Sequence, residues 1–403
     1  MLRSGQILQL IVLALLGLAV VMVQSAAMTV GQGPMDPVSI LVNRTSIYAL
    51  LAAGAMFLAS QMDVRRLTHR HGWTNPLFWL LGFSMVLVVA AMIPGVGVTI
   101  NGAKRWLRLG PPSLGLTFQP SELVKWAILL ALALWCVRRG ALMRLFKEGL
   151  LPAILILGLA CGLIVIQDLG TSALIAMVAT VLLIAAGARF WHLALLIPPA
   201  AVALIFAIAH SPYRRARLTS FLDPFADPQK TGYQAIQSLV AIAQGSLTGK
   251  GLGNGVQKFD YLPADTTDFI YATICEELGL AGAVLVVLLY VLLLYAGLRI
   301  VKSARDPFAK LVALGVTLTI GMQALINIAV VTVVVPTKGI ALPLLSSGGT
   351  GWIMTAFMVG LVAAMDRVDQ SQEQASLLPA WTESDVAKPT ADLPGSAQTV
   401  VGA

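Results

Sequence analysis

Long apolar stretches recur along residues 1–366, and short polar segments separate them. Most stretches contain about 17 to 25 residues, the length at which an α-helix crosses a hydrocarbon core of about 30 Å. This pattern predicts an all-α polytopic membrane protein with ten transmembrane helices. The predicted spans cover residues 6–26, 45–60, 77–95, 121–137, 150–166, 171–187, 191–209, 269–298, 308–334 and 349–366.

The longest polar segment, residues 210–268, lies between the seventh and eighth predicted spans. Within it, residues 231–242 place apolar side chains at helical spacing, which predicts a short amphipathic helix in the membrane interface. Residues 245–255 are rich in glycine and predict turns. After the last span, residues 367–403 are polar, with scattered Pro, Gly, Ser and Ala, which predicts a disordered tail. The sequence thus predicts a membrane domain over residues 1–366 followed by this tail.

The composition excludes a soluble globular protein, because 58% of the residues are hydrophobic and 11% are charged, against about a quarter charged in soluble domains. Lys and Arg concentrate in the short loops on one side of the predicted bundle, which the positive-inside rule identifies as the cytoplasmic side. With ten spans, both termini share that side and the 210–268 loop is external. The net charge of +8 follows from this bias and does not indicate nucleic-acid binding.

Several cations lie on the predicted outer side, against the rule, and Arg105 and Lys338 are among them. Cations in that position indicate an anionic ligand; the alternative is that long loops cross the membrane whatever their charge. The alternative is weaker for Lys338, which lies in a short segment. That segment, residues 335–350, contains two prolines and three glycines. We predict a re-entrant shape for it, and irregular backbone at membrane depth must line a cavity or be buried in protein.

Carboxylates occur at three further places, two in or beside the eighth span and one in the fourth. Asp268 stands at the mouth of the eighth span, where an ionisable group is costly and more often functional than not; the alternative is an acid favoured by the helix dipole. Glu276 and Glu277 lie about two to three turns deeper in the same helix, and we assign them to structural pairing inside the bundle. Glu122 and Lys125 begin the fourth span three residues apart, so they share a face and can pair. Lys125 either reaches up to the interface or lines an outward-facing, water-filled pocket.

Common enzyme motifs are absent from the sequence, which has no HExxH, no GxSxG and no metal-spaced histidine cluster. Residues 245–251 are not a phosphate loop, because the spacing is one residue short and Gly follows Lys250. The three cysteines predict neither a disulfide framework nor a metal site.

Six segments in order nevertheless resemble the shape, elongation, division and sporulation (SEDS) family over about residues 40–366. They read NGAKRWLRLG, FQPSELVK, QDLGTS, FLDP with GYQAIQS, GLGNGVQKFDYLPADTTDFIYATICEELG, and PTKGIALPLLSSGGT. The Lys-Gly pair in the last segment resembles the division (FtsW) branch more than the elongation (RodA) branch. Three positions depart from the family pattern: Ala264 stands for a usual Glu, Thr266 for a usual His, and Ser347 for a usual Tyr.

The resemblance implies a peptidoglycan glycosyltransferase that polymerises lipid II at the outer face of the bacterial cytoplasmic membrane. It also implies a class B penicillin-binding protein as partner, and lipid II and undecaprenyl diphosphate as substrate and product. Asp268 matches the family's essential Asp, and Lys338 its loop Lys. Polar positions that the resemblance connects with substrate binding are Arg105, Glu122, Lys125, Asp168 and Gln234.

The residues on the outer face suit such a reaction. A glycosidase needs two carboxylates because its leaving alkoxide must be protonated, whereas a diphosphate leaves unprotonated and needs cations. We therefore expect Asp268 to be the general base, with Lys338, Arg105 and Lys125 stabilising the diphosphate. No cofactor is predicted beyond a divalent cation that could share this task. Two other functions remain open: a flippase or transporter of a lipid-linked precursor, and a non-catalytic scaffold of the cell-wall machinery.

Overall fold

The computed structural model describes residues 3–28, 43–64, 68, 74–100, 103–108, 110, 117–259 and 261–377. Its α-helices are α1 (Ser4–Ala26), α2 (Arg44–Ser60), α3 (Pro76–Met92), α4 (Pro120–Arg139), α5 (Leu151–Val165), α6 (Leu169–Ala185), α7 (Phe190–Ala194), α8 (Ile197–Ala209), α9 (Pro212–Leu222), α10 (Tyr233–Gly245), α11 (Ile270–Ser303), α12 (Pro307–Val331) and α13 (Thr350–Leu377). A 3₁₀ turn, Gly140–Arg144, and a π turn, Phe146–Leu150, join α4 to α5.

Every predicted span coincides with an apolar helical segment of the described residues. Seven of these segments are long and apolar enough to cross a membrane, and the other three, α2, α3 and α6, are apolar helices of 17 residues each. Large apolar side chains on their outer faces are exposed, for example Leu50 at 71% and Trp79 at 70%. Leu, Val and Ala fill the interior instead. This arrangement is typical of a helix bundle whose outer face meets lipid.

A small antiparallel sheet corrects the all-α prediction. Its strands are β1 (Gly97–Ile100), β2 (Ala103–Arg108) and β3 (Thr117–Phe118), in the order β1-β2-β3. Val98 lies opposite Trp106, and Leu107 lies opposite Phe118. The sequence does not predict this sheet, because its strands are too short for a clear alternation of apolar and polar residues. The register of β1 with β2 shifts between Val98 and Thr99, which leaves Arg105 as the extra residue of a β-bulge in β2.

The eighth predicted span is broken. Gly279, inside α11, has φ +65° and ψ −158°, a conformation that only glycine adopts without strain. The N–H of the next residue, Leu280, donates to the carbonyl of Ser246 at 3.0 Å. The glycine-rich loop after α10 therefore docks into the break between the two halves of α11.

Glu276 and Glu277 end the first half of α11 and are fully buried. Lys250 Nζ donates to Glu276 Oε1 at 2.8 Å, and Lys258 Nζ donates to Glu277 Oε1 at 3.0 Å. Backbone N–H groups of the same loop also donate to these carboxylates, those of Gly253, Gly255, Val256 and Gln257. The predicted structural pairing thus exists, but most of it links α11 to the 210–268 segment and not to neighbouring membrane helices.

The polar segment 210–268 contains a helix at the predicted place, and the last helix extends past the membrane part of the chain. The predicted amphipathic helix is confirmed as α10, which packs on α11. Its buried Ser238 donates to the carbonyl of Val331 on α12 at 2.7 Å. The last helix continues to Leu377, so the chain stays helical beyond the predicted start of the tail at residue 367. Residues 378–403 lie outside the described residues, and their disorder stays a prediction.

Candidate active site

Two irregular segments meet at Asp268, and side chains from α12 and from the 335–350 segment lock them together. Asn327, fully buried on α12, donates through Nδ2 to the carbonyls of Asp268 and Ile340, both at 2.7 Å. Ser346 Oγ donates to the carbonyl of Thr267 at 2.5 Å. These bonds satisfy backbone groups that would otherwise be costly to bury. They fix the backbone of Asp268 against the re-entrant segment.

The carboxylate of Asp268 faces the segment that carries Lys338. A Cβ atom at Gly339 would lie 3.0 Å from Asp268 Oδ2 and 3.9 Å from Arg105 Nη2, so carboxylate and guanidinium converge on this glycine. No side chain or backbone group of the described residues forms a hydrogen bond or ion pair with the carboxylate. Burial raises the pKa of Asp268 to about 6, against the lowering effect of Arg105 and Arg217. A pKa in that range suits a general base that works near neutral pH.

Asp168 and Arg105 form the second part of the site. Asp168 caps α6, since its Oδ1 accepts from the Thr171 N–H at 3.0 Å and its Oδ2 accepts from the Thr171 hydroxyl at 2.9 Å. Arg105 Nη1 reaches Asp168 Oδ2 at 3.4 Å, while its buried Nε has no hydrogen-bond partner among the described residues. Asp168 therefore fixes the guanidinium, and the remaining N–H groups of Arg105 stay available.

Two more cations complete the cluster. Lys338 is partly buried, and its ammonium group makes no hydrogen bond or ion pair within the described residues. Burial lowers the pKa of Lys338; Asp168 opposes this shift and Arg214 adds to it. Arg217 on α9 donates to the carbonyl of Thr337 at 3.0 Å, and its charge acts on Asp268. The sequence does not assign Arg217 to the site, because the approach of this side chain to Asp268 depends on tertiary structure.

Glu122 and Lys125 form the predicted pair, in a separate cluster. Lys125 is buried, and its Nζ donates to both oxygens of Glu122 at 3.0 and 2.8 Å and to Gln323 Oε1 at 3.1 Å. Gln323 in turn donates to the carbonyl of Ala341 at 2.8 Å. These contacts use all three ammonium hydrogens of Lys125, so here it supports the re-entrant segment. A contact of Glu122 or Lys125 with substrate stays a prediction.

Gln234 and the three departures from the family pattern lie around the segment before Asp268. Gln234 Nε2 donates to the carbonyl of Pro263 at 3.2 Å, which ties α10 to that segment. Ala264 adopts φ +61° and accepts from the N–H groups of Thr267 and Phe269. The Ser347 N–H donates to the carbonyl of Thr266 at 2.8 Å. These contacts of Ala264, Thr266 and Ser347 are made by backbone atoms. They therefore do not require the Glu, His and Tyr side chains that are usual in the family.

The arrangement can perform one kind of chemistry well. A single carboxylate of raised pKa lies beside the segment that carries Lys338 and feels the charges of two guanidinium groups, which suits removal of a proton beside a polyanionic leaving group. No group of three or more His, Cys, Asp or Glu side chains able to hold a metal occurs in the part of the chain that the structure describes.

Comparison with known proteins identifies the family. The family model FTSW_RODA_SPOVE, described as cell cycle protein, matches residues 6–371. The chain is 40% identical to "Probable peptidoglycan glycosyltransferase FtsW" of Thioalkalivibrio sulfidiphilus, over 89% of this chain and 88% of that protein. It is 36% identical to the protein of the same name from Geobacter sulfurreducens, over 89% and 94% of the two chains.

Comparison with solved structures supports the same family. A chain of the structure titled "Structural coordination of polymerization and crosslinking by a peptidoglycan synthase complex" matches with TM-score 0.70 and 29% identity, covering 90% of this chain and 97% of that one. The rod shape determining protein RodA of Thermus thermophilus matches with TM-score 0.62 and 28% identity, covering 89% and 95%. The chain therefore belongs to the FtsW/RodA/SpoVE (SEDS) family of cell cycle proteins, within its FtsW branch.

Proposed function

We propose that this protein is the peptidoglycan glycosyltransferase of a cell-division machinery, which polymerises lipid II into glycan strands. The observation that carries the proposal is the carboxylate of Asp268. It is unpaired among the described residues, its pKa is raised to about 6, and it lies beside Arg105 and the segment that carries Lys338. Relatives that share most of this chain are named for the same activity.

The reaction follows from these groups. A sugar hydroxyl of the acceptor gives its proton to Asp268, and the oxygen attacks the anomeric carbon of the donor. The bond from that carbon to the diphosphate oxygen breaks, and undecaprenyl diphosphate leaves with the electron pair. Lys338, Arg105 and Arg217 stabilise the charge that develops on the diphosphate, an effect that grows in a site shielded from water. One base is enough because the leaving group needs no proton.

A flippase or transporter would use the same cations to bind the headgroup but would not need a base. The unpaired carboxylate with a raised pKa therefore favours the enzyme over the flippase and over a scaffold without catalysis. Perturbed pKa values cluster at functional sites, and this one comes from burial in a cluster of charges.

The setting in the membrane completes the proposal. Ten helices cross the cytoplasmic membrane, both termini are cytoplasmic, and Asp268 and Lys338 face outward, where lipid II is polymerised. The partner is a class B penicillin-binding protein that crosslinks the strands. A matching chain belongs to a complex whose title joins polymerization with crosslinking, which supports such a partner. A divalent cation bound with the diphosphate stays a prediction, and titrating Mg²⁺ or Mn²⁺ after chelation against the polymerisation rate tests it.

The experiment that tests this function uses the purified protein with its partner in liposomes that contain fluorescent lipid II. Penicillin blocks crosslinking, so that strand length reports polymerisation alone. We expect glycan strands from the wild type and from the control variant Asp227→Asn, which changes a loop acid outside the site. Movement of lipid II between leaflets without any strand formation would overturn the proposal in favour of a flippase.

A further inference from the structure

A cavity of about 240 Å³ lies beside the catalytic cluster, and the mechanism above does not use it. Residues of α2, β2, β3, the turn before α13 and the start of α13 line it. Trp106 lines this cavity from β2, whereas its neighbour Arg105 contacts Asp168 and lines a different cavity. Arg105, Arg217 and Lys338 are not among the described residues that line the cavity.

The cavity has aromatic walls that other contacts hold in place. Tyr48 packs against Gly349, which has φ +36°; a Cβ atom there would lie 3.0 Å from the ring carbon Cζ. Arg44 lies over the same ring, with 5.6 Å from its Cζ to the ring centroid. Trp352 is buried and donates through Nε1 to the carbonyl of Ser346 at 2.7 Å. The aromatic walls therefore belong to a preformed site.

The lining chemistry identifies the class of ligand. Three aromatic rings line the cavity together with the hydroxyl groups of Thr45, Thr117, Ser347 and Thr350. Arg44 is the one charged side chain among the described residues that line it. A diphosphate would need several cations, and an acyl chain would leave the hydroxyl groups unpaired. A sugar ring suits both kinds of lining group. Its polarised C–H groups can pack on the aromatic rings of the cavity, and its own hydroxyl groups can form hydrogen bonds with the hydroxyl groups of the cavity.

The size of the cavity and its connection to Asp268 restrict the possible ligands further. Its volume is below the range of about 300–1,000 Å³ of sites for drug-sized ligands, so it fits one ring and not a whole disaccharide-peptide. The hydrogen bond from Ser347 to the carbonyl of Thr266 joins its wall to the segment that ends in Asp268. We propose that this cavity binds one pyranose ring of the lipid-linked disaccharide and so positions it for the reaction. The proposal rests on the function proposed above, because that function supplies the sugar.

Equilibrium binding tests this subsite, with the full-length protein and its partner in nanodiscs. The two probes are lipid II and undecaprenyl diphosphate, which differ by the disaccharide-peptide. We expect Trp106→Ala to weaken lipid II binding about tenfold and to leave undecaprenyl diphosphate binding unchanged. Trp106→Phe keeps an aromatic face and should retain most of the affinity. The control Trp191→Ala, which removes a 77% exposed Trp of α7, should change neither.

Two results would overturn the subsite. One is unchanged lipid II binding by Trp106→Ala, and the other is an equal loss for both probes, which would indicate a diphosphate site or general damage. Should Trp106→Ala fail to fold, Thr117→Val gives the same comparison, since it removes a lining hydroxyl with little change in shape. Because these are binding measurements, their failure is separate from that of the proposed function, which would appear as a wild type that makes no strands.

Discussion

The clearest consequence of the site is its pH dependence, because burial raises the pKa of Asp268 to about 6. A general base acts in its ionised form, so the rate should fall as pH drops through this pKa. With a pKa of about 6, roughly one-tenth of the protein carries the base ionised at pH 5 and roughly nine-tenths at pH 7. We therefore expect kcat/KM to rise about tenfold over that interval. An ordinary carboxyl group, with a pKa of 3.8, would give a rise of only about 6%.

The assay is the initial rate of lipid II polymerisation at low substrate concentration, from pH 5 to pH 8, with the partner blocked by penicillin. Arg217→Gln removes a charge that lowers the pKa of Asp268, so its acid limb should move to higher pH. Arg215→Gln, on an exposed position of the same helix, is the matched control and should keep the wild-type limb. A rate that stays flat between pH 5 and pH 7, or a limb that moves to lower pH in Arg217→Gln, would refute the reasoning.

Three further predictions concern the support of the site. Gly339→Ala brings a methyl group within 3.0 Å of Asp268 Oδ2 and should cut polymerisation sharply in a protein that still assembles with its partner, as gel filtration and rate measurements would show. Gly279→Ala combines a positive φ with overlap of the docked loop backbone, and we expect a clear drop in Tm; an unchanged Tm would mean that the break in α11 is not needed. Glu277→Gln leaves Lys258 buried without its charge partner and should lower the free energy of unfolding by about 3–5 kcal/mol, with a matching drop in Tm. The double variant Glu277→Gln with Lys258→Met should recover part of the lost Tm. No recovery would contradict a pairwise role of these two residues.

The sequence predicts the helices well because membrane spans are long, apolar and local. It does not predict the break at Gly279, since glycine is frequent in membrane helices and the apolar pattern continues past it. Nor does it predict the partners of Glu276 and Glu277. The two carboxylates accept hydrogen bonds from backbone N–H groups of a loop about 20 residues earlier in the chain. No local sequence pattern indicates that this loop packs there.

The candidate site, like the fold, is predicted from the sequence only in part. A carboxylate at the mouth of a helix is visible in the sequence, but spacing alone does not reveal that Arg105, Asp168 and Lys338 lie near Asp268. The family resemblance supplied those positions. Arg217 was missed as a member of the cluster because the fold of the long loop, and not its sequence, brings it to the site. The structure shows Lys125 donating to Glu122 and to Gln323, and contact of Glu122 or Lys125 with substrate stays a prediction.

The central claim is that Asp268 is the base and that cations bind the diphosphate without it. Its most direct test compares Asp268→Asn with the wild type in both lipid II binding and polymerisation at saturating lipid II. We predict nearly unchanged binding and a polymerisation rate lower by about 10²–10⁴-fold, the usual contribution of a general base. An Asp268→Asn protein that polymerises lipid II at the wild-type rate would contradict the account.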